Sequence, residues 1–229
     1  MFRQTIIAIL VGIAATLATQ AQQTKLQVER SFKSYKRHST IHPETKMMEL
    51  KQVVPGIVYD LKYADSDNFM QRRMYSKGTN TTFLRKPAAA ALAAVQEDLK
   101  KSGLGIKVFD AYRPFSVTEK FWELVKDERY VANPVKGSNH NRGTAVDLTL
   151  IDLKTDKELN MGTGFDNFTD TAHHTFKALP KHILDNRALL KSAMEKHGFT
   201  ALATEWWHYT FKSNISFTVL DIPFRKLFR

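Results

Sequence analysis

Alternating apolar and polar positions predict the strands of this protein. The segments GIVYDLKYA (56–64) and GIKVFDAYRP (105–114) place β-branched or aromatic residues at roughly every second position. TAVDLTL (144–150) is an apolar, strand-like run with β-branched residues, and EWWHYTF (205–211) is aromatic and strand-like. We therefore predict a strand in each of these four segments.

Helix signals lie between the predicted strands. KPAAAALAAVQEDLKKSG is rich in alanine, with Pro87 in the first turn and Gly103 as the terminating residue. Ser116 and Glu119 have the spacing of a capping box, which predicts a second helix that continues to about Lys126.

A third helix is predicted in DNRALLKSAMEKHGF, with Asp185 or Asn186 as the N-cap and Gly198 as the terminator. Helices and strands interleave, while the turns between the late strands are short. This order predicts an α+β fold, a single domain with a central, mostly antiparallel sheet flanked by helices. No glycine-rich phosphate loop follows a predicted strand, so a nucleotide-binding fold is not expected.

The N-terminal residues have the pattern of an export signal. Arg3 precedes an apolar run (6–17) and a small-residue stretch that ends at Ala21, which predicts a signal peptide over 1–21. An uncleaved anchor is the alternative, although the run is shorter than the ~20 residues of a membrane span. Polar and basic residues then predict a flexible lead-in over 22–45, followed by one catalytic domain over 46–229.

The composition narrows the chemistry and the partners. The chain has no cysteine, which excludes thiolate nucleophiles and cysteine-based zinc sites. An exported chain without disulfides depends on its core alone, or on its core and a metal. The net charge is +11, or +10 without Arg3 of the signal, and favours loose contact with an anionic cell wall or membrane surface. A solvated basic face is equally consistent, and an exported protein is not expected to meet nucleic acid.

The segment GSNHNRGTAVDLTL contains a candidate pair of metal ligands. Asp147 lies in the middle of a strand-like run, where an unpaired buried carboxylate is unfavourable. A cation removes that penalty, and imidazole and carboxylate are both good Zn²⁺ ligands. Gly143 permits a turn that would bring His140 back to Asp147. Alternatively, His140 caps the loop and Asp147 pairs with an arginine.

The segment EWWH adds a third candidate ligand and a candidate base. His208 would complete three protein ligands, and Glu205 would be free to act as general base on a water molecule. Residues three apart on a regular strand face opposite sides, so Glu205 must lie just before the strand or at a bulge.

The segment DAYRP supplies a candidate anion-stabilising group. Arg113 stands at a proline-marked corner, and a fixed guanidinium suits the negative charge that develops on an attacked carbonyl oxygen. Asp110 would orient that guanidinium, and we group it with the substrate-binding residues. A purely structural aspartate–arginine pair is the alternative interpretation.

Together, DAYRP, SNHNRGTAVDLTL, MGTGFDNF and EWWH, in this order, resemble the D-alanyl-D-alanine dipeptidases of the vancomycin-resistance type. These zinc enzymes are related to D,D-carboxypeptidases and Hedgehog-like domains. The resemblance spans roughly 59–208 and implies that His140, Asp147 and His208 bind one Zn²⁺ per chain. It also implies that Glu205 is the catalytic base and that Arg113 stabilises the tetrahedral intermediate.

The resemblance further implies a small dipeptide substrate. Ser138 and Asp166 match positions around its free ammonium group, and Tyr63 matches a pocket residue. A carboxylate suits the recognition of an amino terminus at close range. The vancomycin-resistance enzymes act in the cytoplasm, whereas this chain has a predicted export signal, so periplasmic or secreted turnover of cell-wall fragments is the expected role.

Two alternatives share the same metal site. A D,D- or L,D-carboxypeptidase would trim peptidoglycan stem peptides in an open groove, without a carboxylate at the amino-terminal end, which Asp166 argues against. A non-catalytic Hedgehog-like domain would keep zinc for stability alone and would need neither Glu205 nor Arg113.

Overall fold

The computed structural model describes residues 25–228 of the 229-residue chain. The predicted signal peptide over 1–21 therefore lies outside the described residues. Within 25–228, no helix combines the length and the apolar character needed to cross a bilayer.

The structure is an α+β domain, as predicted. Its helices are α1 (Phe32–Ile41), α2 (Leu50–Val53), α3 (Lys86–Lys100), α4 (Phe115–Leu124), α5 (Asn139–Arg142), α6 (Lys181–Lys196) and α7 (Phe224–Leu227). Its strands are β1 (Val28–Glu29), β2 (Met47–Glu49), β3 (Val58–Tyr59), β4 (Phe83–Arg85), β5 (Leu104–Asp110), β6 (Ala145–Asp152), β7 (Phe199–Leu202), β8 (Glu205–Phe211) and β9 (Val219–Leu220).

The central sheet has the strand order β3-β5-β6-β8-β7. β3 runs parallel to β5, and every other neighbouring pair is antiparallel, which confirms the mostly antiparallel sheet. Two small sheets, β1-β9 and β2-β4, lie outside it. The central strand β6 is buried from Ala145 to Ile151, because both faces of the sheet are covered.

Two groups of buried side chains fix this sheet in place. In the first group, leucines and alanines of α3 and α6 pack against apolar residues of β5, β6 and β8. In the second, tyrosine, phenylalanine and methionine side chains surround Tyr63, Tyr112 and Phe121. Each fully buried large apolar side chain stabilises the fold by about 1.5–3 kcal/mol. The candidate residues Asp110, Asp147 and Glu205 lie on β5, β6 and β8 of this sheet.

The segment 25–45 is ordered, which corrects the expectation of a flexible lead-in over 22–45. β1 adds to β9, and Ser31 caps α1 by accepting a hydrogen bond from the backbone of Ser34 at 3.2 Å. Tyr35 is buried, and its hydroxyl accepts a hydrogen bond from the Met47 backbone at 2.7 Å. The polar composition of the segment gave no sign that Tyr35 is buried and holds α1 against the domain.

The start of α4 also differs from the prediction. The helix begins directly after Pro114, and the capping box between Ser116 and Glu119 does not form. Instead, the backbone and hydroxyl of Ser116 both donate to Asp221 Oδ1, at 3.0 and 2.8 Å. The carboxylate of Asp221, distant in sequence, therefore binds the N-terminus of α4, where the local pattern predicted a capping box.

The helix α6 begins four residues before the predicted cap. Pro180 precedes its first residue, and the restricted backbone of proline suits a helix start. Asp185 lies inside the helix and pairs with Lys181 at 2.7 Å instead of capping it. The predicted terminator, Gly198, adopts a left-handed backbone with φ 84°.

The strand predicted over 56–64 is reduced to β3. A 3₁₀ turn, Lys62–Ala64, follows it and buries Tyr63. The aromatic and β-branched residues of this segment are therefore used for packing, as at Tyr63, more than for strand pairing.

Candidate metal centre and active site

Strand pairing and one glycine turn bring three candidate ligands together. Asp147 of β6 lies directly opposite His208 of β8 in the antiparallel register. Side chains of such a pair share one face of the sheet and are close neighbours. His140 belongs to the short helix α5, which ends at Gly143 with φ 71°. This left-handed residue reverses the chain into β6, as the sequence suggested.

The ligand atoms of these three residues face one another. His140 Nε2 lies 3.3 Å from Asp147 Oδ2 and 3.2 Å from His208 Nδ1. His208 Nδ1 lies 2.9 Å from Asp147 Oδ1. Ligands at ~2.1 Å in a tetrahedral zinc site would be separated by ~3.4 Å. The trio therefore fits one Zn²⁺ with little rearrangement.

Hydrogen bonds behind the histidines orient their free nitrogens toward the trio. His140 Nδ1 donates to the carbonyl oxygen of Ala111 at 2.7 Å, which leaves Nε2 available as a ligand. His208 Nε2 lies 3.2 Å from Thr210 Oγ1, which leaves Nδ1 facing Asp147. Metal-binding histidines are commonly fixed in this way by a partner on the other ring nitrogen.

The protonation states of Asp147 and His208 also suit a metal. Burial opposes the charge on Asp147, but the facing imidazoles hold its pKa below the ordinary value. Burial lowers the pKa of His208, although Asp147 opposes that effect. An ionised carboxylate and a neutral imidazole are the forms that bind Zn²⁺.

Glu205 lies beside the trio at the start of β8. The pairing of β7 with β8 changes register here, because Ala201 pairs with Tyr209 whereas Leu202 pairs with Glu205. This irregularity brings Glu205 Oε2 to 3.9 Å from His208 Nδ1, despite the three-residue spacing. The sequence anticipated a loop or bulge at this point for the same geometric reason.

Arg113 lies beside the trio on the other side and is held by Asp110. Its Nε and Nη2 donate to Asp110 Oδ2 at 2.9 and 2.8 Å, and Nη2 lies 3.8 Å from Asp147 Oδ2. The guanidinium carbon also lies 5.2 Å from the Tyr63 ring centre and 4.7 Å from that of Phe121. These contacts fix both the position and the plane of the guanidinium.

Asp110 itself is completely buried behind Arg113, with no exposed surface. Its carboxylate is occupied by Arg113, by the Tyr75 hydroxyl and by the Ala111 backbone. Asp110, which we predicted among the substrate-binding residues, does not line the cavity and would contact a substrate only through the guanidinium of Arg113.

Asp166, Tyr63 and Ser138 border the same cavity. The Tyr63 hydroxyl donates to the Asp166 carboxylate at 3.0–3.1 Å. Asp166 has a left-handed backbone with φ 56°, a conformation uncommon outside glycine, which turns this loop at the cavity. Ser138 is the N-cap of α5, and its hydroxyl oxygen accepts from the His140 backbone at 3.1 Å.

Four carboxyl groups crowd around one guanidinium in this region. Burial raises the pKa of Asp166 to about 8, and the charge of Asp147 adds to the effect. Burial and Asp147 likewise raise the pKa of Glu205 well above its usual value. Burial also raises the pKa of Asp110, although Arg113 opposes it. Because Arg113 alone does not balance this acidic group, the site favours an additional cation.

Sequence reasoning missed two residues that support these groups. The Tyr75 hydroxyl donates to Asp110 Oδ1 at 2.5 Å and so braces the partner of Arg113. Asn141 is fully buried, donates to the Arg113 carbonyl oxygen at 2.8 Å and accepts from the Ser138 backbone at 2.9 Å. Asn141 follows Ser138 at capping-box spacing, which is a usable signal, whereas no local pattern singles out Tyr75.

The candidate metal ligands and catalytic groups open into one partly enclosed cavity of about 220 Å³. It is lined by the three candidate ligands together with Glu205, Arg113 and Asp166. Two imidazoles and a carboxylate, with an unliganded glutamate and a fixed guanidinium beside them, define a metal-dependent hydrolase.

Comparison with known proteins identifies the family. A family model described as D-ala-D-ala dipeptidase (Peptidase_M15) matches residues 43–222. The D-alanyl-D-alanine dipeptidase of Escherichia coli (strain K12) is 35% identical over 180 residues, which cover 79% of this chain and 92% of that protein. The protein of the same name from Enterococcus faecalis (strain ATCC 700802 / V583) is 33% identical over 184 residues, covering 72% and 91%. The chain belongs to this D-Ala-D-Ala dipeptidase family, as the sequence resemblance predicted, and is a zinc metallopeptidase.

Among solved structures, similarity is remote. The LdcB LD-carboxypeptidase aligns with 69% of this chain and 66% of its own, at a TM-score of 0.41 and 19% identity.

Proposed function

We propose that the chain hydrolyses the dipeptide D-Ala-D-Ala to two molecules of D-alanine, in the turnover of cell-wall fragments. The observation that carries this proposal is that the His140–Asp147–His208 trio and the Asp166 carboxylate border one cavity of about 220 Å³. Such a cavity is smaller than the ~300–1,000 Å³ of typical ligand pockets, which favours a small substrate with a free amino terminus. The names of the relatives agree with this substrate.

The site residues divide the chemistry between them. His140, Asp147 and His208 would hold Zn²⁺, which when bound polarises the scissile carbonyl and acidifies a water molecule. Glu205 takes a proton from the attacking water and later delivers it to the leaving amine. Arg113 pairs with the carbonyl oxygen as that oxygen gains negative charge.

Asp166, which lines the same cavity, would hold the amino end of the substrate. Burial deprives the Asp166 carboxylate of water and so opposes its negative charge. The ammonium group of a bound substrate would compensate for that lost water and stabilise the ionised carboxylate. The Tyr63 hydroxyl holds that carboxylate in place through the bonds described above. The Ser138 hydroxyl accepts from a backbone amide and retains its own hydrogen for the substrate.

Release of D-alanine, measured with and without a chelator, tests this function. The protein should cleave D-Ala-D-Ala, lose activity when the metal is removed, and recover it when Zn²⁺ is restored. Faster release from a stem pentapeptide than from the dipeptide would instead indicate a carboxypeptidase. Binding of Zn²⁺ without release from either substrate would indicate a non-catalytic domain.

We further propose that the chain is exported and loosely held at an anionic wall or membrane surface. The pattern of residues 1–21 supports export, and the exposed side chains of Lys33, Lys36 and Arg37 on α1 supply positive charge. Fractionated cells should yield the chain outside the cytoplasm, attached at low salt and released by a salt wash. Recovery of the intact chain in the cytoplasm would contradict this proposal.

A further inference from the structure

Aromatic rings form a continuous row along one part of the cavity. The ring centres of Phe69 and Phe168 are 5.4 Å apart, and Phe168 stacks on Tyr130 at 4.8 Å with an angle of 30° between the planes. These three residues, here called the aromatic wall, all line the active-site cavity.

The aromatic wall borders the part of the cavity that contains Asp166. Phe168 follows Asp166 by two residues in the same loop. Tyr63 connects the two features, because its hydroxyl binds Asp166 while its ring meets Phe69 edge-on at 6.1 Å. A group attached to the amino end of a bound dipeptide would therefore meet the wall.

Hydrogen bonds hold the turn that carries Tyr130 of the aromatic wall. Tyr130 lies in a turn in which the backbone amide of Val131 donates to the Asp127 carbonyl oxygen at 2.9 Å, and Val131 is buried. Thr204 Oγ1, one residue before Glu205, donates to the Arg129 carbonyl oxygen at 3.2 Å. This bond ties the turn that carries Tyr130 to the start of β8.

We infer that the stacked rings of Tyr130 and Phe168 make the enzyme select dipeptides whose amino terminus carries no further residue. This inference rests on the proposed function and names the groups that set its length limit. Exclusion is steric, because an added residue must displace stacked rings, and it is also electrostatic, because the extension moves the ammonium away from Asp166.

Substrates extended at one end or the other test this inference. The kcat/KM values for D-Ala-D-Ala, Gly-D-Ala-D-Ala and D-Ala-D-Ala-Gly would be measured for the native protein and for Tyr130→Ala and Phe168→Ala. The ratio of kcat/KM for Gly-D-Ala-D-Ala to that for the dipeptide should rise about tenfold in each variant, which corresponds to ~1.4 kcal/mol of relieved exclusion. The substrate extended at its carboxyl end should not gain.

Two further variants serve as controls. Phe228→Ala removes an aromatic ring that is 60% exposed and does not line the cavity, and it should leave the substrate ratio unchanged. Tyr130→Leu keeps an apolar side chain but removes the flat ring that stacks on Phe168. It would be used in place of Tyr130→Ala if that variant does not show cooperative unfolding.

The possible failures are distinguishable. A native protein that releases no D-alanine from D-Ala-D-Ala defeats the proposed function itself. An active native protein with unchanged ratios in folded wall variants overturns the inference about the wall. Equal gains for both extended substrates also overturn it, because they would indicate a generally loosened cavity.

Discussion

Glu205→Gln is expected to reduce kcat for D-Ala-D-Ala by about 10²–10⁴-fold, the usual contribution of a general acid–base group. Glutamine has nearly the same shape but does not accept a proton from water. The zinc content should remain one per chain, because the trio of His140, Asp147 and His208 is intact. Steady-state kinetics and elemental analysis of the same sample provide the two measurements.

Glu97→Gln is the matched control for this substitution. Glu97 lies on α3, where its side chain is 60% exposed and pairs with Lys100, so its loss should not alter kcat. Full activity in a zinc-loaded Glu205→Gln variant would remove Glu205 from the proposed mechanism.

Arg113→Lys is expected to reduce kcat by about 10²–10³-fold, as for loss of one donor from an oxyanion site. Lysine keeps the charge but cannot make the two-point contact of Nε and Nη2 with Asp110. Its ammonium would therefore be poorly placed for the carbonyl oxygen. KM should change less than kcat, because this interaction strengthens only as charge develops in the transition state.

Arg30→Lys controls for the chemical change from guanidinium to ammonium. Arg30 is 58% exposed and lies 3.4 Å from Asp221, away from the cavity, so kcat and KM should both be retained. A change in KM alone for Arg113→Lys would assign Arg113 to ground-state binding instead of transition-state stabilisation.

The surroundings of Arg113 explain why so much buried charge is tolerated. Tyr75 and Asp110 brace the guanidinium from behind, while the rings of Tyr63 and Phe121 lie against it. Arg113 and Asp110 therefore have fixed partners, which avoids the penalty of an unpaired buried charge for this pair. The same fixed partners hold the guanidinium ready for the transition state.

The elements that local sequence patterns predicted are present in the structure, and long-range contacts account for the differences in their ends and caps. Strand-type composition identified β5, β6 and β8, and alanine content identified α3, since these elements have strong local preferences. The expected cap at Ser116 was wrong because Asp221, more than a hundred residues later, binds that helix terminus. Within the predicted lead-in, residues 25–45 fold against the domain, because Tyr35 docks on it.

The sequence by itself determined the chemical groups of the site and the family, because four short motifs carry their residue types at local spacings. A carboxylate within an apolar strand already required a compensating charge, whichever fold surrounded it. Only the tertiary structure decided which groups meet, since the distances between His140, Asp147 and His208 depend on the register of β6 with β8 and on the turn at Gly143. The hydrogen bonds of Tyr75 and Asn141 and the stacking of Tyr130 on Phe168 also depend on the tertiary structure. Side-chain contacts between distant segments leave little trace in local sequence.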